Sequence, residues 1–251
     1  MKRLMGAVRG LSPGSIHVFI YSLTATIIIL AVAQGLKPHG EHAGTLWGLR
    51  LKFGESADQI LENAYIEMVR HVWTIVTLPF ACLVGMKWLL RSFRPDFQAF
   101  LRYGNSSCLF IETARISALL SIVLMAMVPL LAGALWGTLQ PGVSGEAVLD
   151  IVVPCLGCLL FATTLVYLLG SLDVPGEIAA AIGLITPFLL TGVSIVFERG
   201  GQGSVSGSLP PGLPYYVDDW TSSNLRVGAV AVALGIAMRL LVFGRTRWLR
   251  E

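Results

Sequence analysis

Three small constellations carry residue types that could do chemistry. Glu112 and Arg115 are spaced i, i+3, which puts a carboxylate and a guanidinium on one helix face inside a long apolar stretch. Ionisable groups at such depth are paired or functional, and this pair neutralises itself. Cys155-Leu156-Gly157-Cys158 is a vicinal thiol pair. On an uninterrupted helix its sulfurs share a face and could exchange electrons with a quinone or a thioredoxin-like protein. Pro154 complicates that geometry, and small residues at helix contacts account for the pair equally well. A relay also needs a second thiol pair, and Cys82 and Cys108 are expected on other spans at different depths. The third constellation is basic: Lys87, Arg91, Arg94 and Arg102 surround Phe97, Phe100 and Leu101, which fall at i, i+3, i+4 on one face of a short helix opened by Arg94-Pro95-Asp96. Such a segment lies at a membrane interface, rings among headgroups and arginines outward. It is either an anchor between two spans or an elbow for a cytoplasmic partner.

Lys87, followed by six residues and then Arg94-Pro95, also resembles the first phosphate-binding motif of the type-2 phosphatidic acid phosphatases. That chemistry needs a histidine nucleophile and a second histidine. The four histidines, His17, His39, His42 and His71, fall in neither downstream motif of that family. No Gly-x-x-x-x-Gly-Lys-Ser/Thr loop is present, so the chain does not cradle ATP itself. No catalytic, cofactor-binding or metal-ligating residue is assigned, and no nucleic-acid partner is expected.

The elements that must position these groups are membrane helices. Of 251 residues 55% are hydrophobic and 13% charged, about half the charge of an ordinary soluble domain. The mean hydropathy is +0.73. Spans are predicted over about 16–36, 72–90, 108–137, 148–172, 178–197 and 227–243, each near the roughly 20 residues a crossing requires. Ala31-Val32-Ala33 also resembles a signal cleavage site, for which the apolar run from Ile16 is somewhat long. Residues 37–70 are polar, with a capping box at Ser56 to Gln59 and helical repetition of Ala57, Ile60, Leu61, Ala64, Tyr65 and Met68. Pro79, Pro129, Pro154 and Pro187 each interrupt a span. Gly133 and Gly137 hint at close packing at the far end of the third span. A Gly, Ser and Pro-rich loop closing on Tyr215 to Trp220 precedes the last span. No stretch is long and polar enough for a separate soluble domain, so residues 1–251 read as one all-α polytopic membrane domain.

Orientation follows from lysine and arginine. With both termini inside, Lys2, Arg3, Arg9, Lys87, Arg91, Arg94, Arg102, Arg115, Arg239, Arg245, Arg247 and Arg250 face the cytoplasm, and the outer side keeps half as many. The layout of a basic N-terminus (Met1–Arg9), six spans, an elbow between spans two and three, and a polar aromatic stretch (Leu209–Trp220) before the last span resembles the permease subunits of type-2 ABC exporters. The resemblance implies that the elbow (Arg94, Phe97, Phe100, Leu101, Arg102) docks on a separate ABC ATPase subunit that carries the ATP. It implies pairing with a second permease to form the translocation path in the cytoplasmic membrane, for export of a lipid, peptide or drug-like substrate. Many relatives carry a glutamate and a Gly-Thr step in the elbow where this chain has Ser92-Phe93-Arg94-Pro95, so the subfamily and the substrate stay open. The alternative is a polytopic membrane enzyme or assembly factor using thiol-redox or lipid-phosphate chemistry.

Overall fold

The computed structural model describes residues 10–35, 57–94, 108–139, 144–172 and 174–199. All secondary structure among them is helical. α1 is Gly14–Gly35, α2 is Ala57–Phe80, and a π-helical turn, Ala81–Gly85, joins α2 to α3, Met86–Arg91. α4 is Cys108–Gly137, α5 is Glu146–Ser171 and α6 is Gly176–Arg199. Four stretches among the described residues are long and apolar enough to cross a membrane: Gly14–Ala31, Val72–Arg91, Phe110–Gly137 and Glu146–Ser171. Gly176–Leu189 is a shorter apolar helix. This is a multi-pass membrane protein. The sixth predicted span, 227–243, and the N-terminal basic segment lie outside the described residues.

The predicted helix over 57–70 runs without a break into the second span. α1 packs on α2 and α4, and α5 on α2, α4 and α6. Consecutive helices alternate in direction, so one end of the bundle gathers the start of α1 and α4 with the finish of α3 and α5. This end is called the α3 end below; the opposite one is the α2 end. Without a hydrophobic drive between helices in lipid, close contact depends on small residues and interhelical hydrogen bonds. A β-carbon at Gly133 would run into Thr26, and one at Gly137 into Tyr65. Mid-bundle, Trp73 Nε1 donates to Ser22 Oγ (2.9 Å), which in turn donates to the Ala126 carbonyl (2.6 Å).

The four prolines do not act alike. α4, α5 and α6 continue as helices through Pro129, Pro154 and Pro187. Only beyond Pro79 does the ladder change, where a missing N–H leaves the carbonyl one turn earlier without its donor. The amide of Met86 then reaches back to the Ala81 carbonyl with π spacing. At this turn the backbones are nearly in contact: a β-carbon on Gly14 would sit 2.5 Å from the Val84 carbonyl oxygen, and one on Gly85 2.9 Å from both Val18 and Ile122.

Candidate functional site

At the α3 end, helical spacing puts Glu112 and Arg115 on one face of α4, and both are buried, at 3% and 1% exposure. Arg115 Nη1 donates to Glu112 Oε2 at 3.0 Å. The rest of the guanidinium is used on the turn that follows α3. Nε donates to Ser92 Oγ at 2.9 Å, and Nη2 donates to the Ser92 carbonyl. Ser92 Oγ in turn donates a hydrogen bond to the Leu89 carbonyl at 2.6 Å. The other carboxylate oxygen, Glu112 Oε1, accepts from the Tyr167 hydroxyl near the end of α5.

Aromatic rings close the cluster. The Arg115 guanidinium lies 4.3 Å from the centroid of Phe93, and Phe93 meets Tyr167 edge to face at 5.4 Å. A buried ion costs several kcal/mol in desolvation, offset only when its partners are well placed. Arginine suits the position because its planar fork offers fixed donor directions that one lysine ammonium does not. Each hydrogen bond named here joins two protein groups, so the cluster holds the ends of α3, α4 and α5 in fixed relation. Arg115, read from sequence as paired with Glu112 and counted with the charges of this end, is interior. It faces Ser92 and Glu112, because the turn after α3 folds back over it.

Of the elbow residues, Arg94 is exposed in the turn closing α3. Phe97, Phe100, Leu101 and Arg102 lie outside the described residues. Ser92, Phe93 and Tyr167 were not singled out from sequence as partners of Arg115.

The thiols sit elsewhere. Cys82, Cys155 and Cys158 are free and buried. Thr74 Oγ1 is 3.9 Å from Cys155 Sγ. Cys82 lies in the π turn of the second span and Cys155 and Cys158 in α5, on separate helices as expected. Among the described residues no group of three or more His, Cys, Asp or Glu side chains is disposed to hold a metal ion.

Helices and site together define the class, a multi-pass membrane protein with a buried charge cluster at one end. Comparison with protein-family models, with curated proteins and with solved structures found no match for this chain.

Proposed function

We propose that this chain is the membrane-spanning permease subunit of an ABC transporter, driven by a separate ATPase subunit. In this reading it has six spans, including 227–243, and both termini in the cytoplasm of a cell bounded by the cytoplasmic membrane. A second permease completes the translocation path, and the substrate is a lipid, peptide or drug-like molecule. The observation that carries the reading is the Arg115 cluster. It ties Ser92 and Phe93, the last residues before the elbow, to α4 directly and to α5 through Glu112 and Tyr167. A push on residues 95–107 would therefore enter three helices at once through charge-assisted bonds, which are shorter and stronger than neutral ones. A plain surface loop has no need of such an attachment.

The experiment removes the elbow's apolar face. Phe97→Ala with Phe100→Ala should release a co-purifying ATPase and abolish transport while the chain still inserts. Truncating a central aromatic of an interface costs about 2–4 kcal/mol, roughly a 30- to 1000-fold loss of affinity. Alanine at Phe188, in α6, should not release it. A double variant that keeps a stoichiometric ATPase and full transport would reduce the elbow to an interfacial anchor.

A further inference from the structure

We propose that the exposed face formed by Lys87, Trp88, Arg91 and Arg94 holds the headgroup of an anionic phospholipid. Lys87 and Arg91 are one helical turn apart on α3, and Arg94 follows in the closing turn; all three are exposed. Trp88, 39% exposed, has the Arg91 guanidinium 4.7 Å from its ring centroid. Two features separate these charges from Arg115 at the same end of the bundle. No carboxylate is paired with Lys87, Arg91 or Arg94 among the described residues, whereas Arg115 has Glu112. Like charges at i, i+4 repel, so an anion laid between them would be stabilised. The nearby acid on α6, Glu177, is exposed at the start of that helix and makes no ion pair with them.

The apolar surface selects a lipid over a soluble anion. One turn before Lys87, Leu83 is 48% exposed, and Ile75, earlier on the same span, is 53% exposed. Tyr21 stacks on Phe80 between them in height, ring centroids 3.5 Å apart. Along this side the span Val72–Arg91 thus passes from bare aliphatic surface to tryptophan and then to guanidinium. The sequence of environments matches a phospholipid laid along the helix, acyl chain on Leu83 and Ile75 and phosphate among Lys87, Arg91 and Arg94. Tryptophan belongs at that boundary, and clustered lysine and arginine beside a span attract anionic headgroups. The site does not rest on the transport reading: Lys87, Trp88 and Arg91 precede the elbow, and only Arg94 is shared with it.

Native mass spectrometry of the detergent-purified full chain, titrated with phosphatidylglycerol and with phosphatidylcholine, tests this. Wild type should bind phosphatidylglycerol more tightly, and Lys87→Gln and Arg91→Gln should each erode the preference about fivefold, the equivalent of ~1 kcal/mol per basic residue. Lys87→Arg and Arg91→Lys should keep it. A second measurement needs no charge-removing variant: brominated phosphatidylglycerol should quench a fluorescence component that Trp88→Phe abolishes, and brominated phosphatidylcholine should quench it less. Equal binding of the two lipids by wild type, an unchanged preference in both glutamine variants, or equal quenching overturns the proposal. Displacement of phosphatidylglycerol by millimolar inorganic phosphate also overturns it, assigning the stripe to a free anion.

Discussion

At the α3 end of the bundle, all but one of the contacts named around Arg115 join side chain to side chain, the bond to the Ser92 carbonyl being the exception, and they depend on Ser92, Phe93, Glu112 and Tyr167 all being what they are. At the α2 end, side chains reach for backbone instead. Arg70 Nε donates to the Asp150 carbonyl at 2.7 Å, Tyr65 donates to the Gly133 carbonyl at 3.3 Å, and Glu62 accepts from the Ser144 amide at 2.8 Å. A backbone partner is present whatever residue occupies the position, and these contacts are only partly buried or exposed. The backbone partners at Asp150 and Ser144 therefore survive a change of side chain, though Gly133 has no room for one beside Thr26, while the α3 end holds a charge that is costly to leave alone.

The contrast is sharpest for Glu112→Gln, which keeps the shape and removes the compensating charge. Breaking a buried ion pair from one side costs about 3–5 kcal/mol, read as a lowered unfolding midpoint in detergent. Replacing Glu112 by Leu and Arg115 by Met together should recover most of that loss. A single variant as stable as wild type would mean that Arg115 finds other compensation. Tyr167→Phe comes next. It removes one hydrogen bond to a carboxylate, worth about 1.5–3 kcal/mol, and leaves the edge contact with Phe93 intact. Last is Glu62→Gln at the α2 end, where the same unfolding measurement should move by no more than about 0.5 kcal/mol. If Glu62→Gln costs as much as Tyr167→Phe, the two ends do not differ in the way described.

Much of the helical layout was legible because hydrophobicity sustained over a span length is a local signal. The predicted spans 72–90, 108–137 and 148–172 fall within two residues of Val72–Arg91, Cys108–Gly137 and Glu146–Ser171. Glu112 and Arg115 stood out for the same reason, two charges i, i+3 in an apolar run. Their remaining partners did not, because Ser92 is 23 residues from Arg115 and Tyr167 is 55 from Glu112. Nothing in the pattern around Tyr167 says which way its hydroxyl points. The contact between Thr74 and Cys155 was likewise not legible, because it depends on how α2 and α5 stand side by side, which periodicity within one helix does not encode. The charge count placed Arg115 by side only, and its depth followed instead from its i, i+3 spacing with Glu112 inside an apolar run.

The π turn has a consequence for timing along the second span. Buried pairs recur there at Trp73-Thr74, Thr77-Leu78, Ala81-Cys82, Gly85-Met86 and Leu89-Leu90, every fourth residue. At 3.6 residues per turn the stretch from Trp73 to Leu89 makes about 4.4 turns, so a four-residue beat would slip about 160° around the helix. One residue absorbed as a π turn takes back about 100° of that slip. The turn thus works as a phase corrector between two remote fastenings. Trp73, upstream of it, faces Ser22 on α1, and Ser92, downstream, faces Arg115 on α4. Both can point inward at once only while that single extra residue stays in the wall between them.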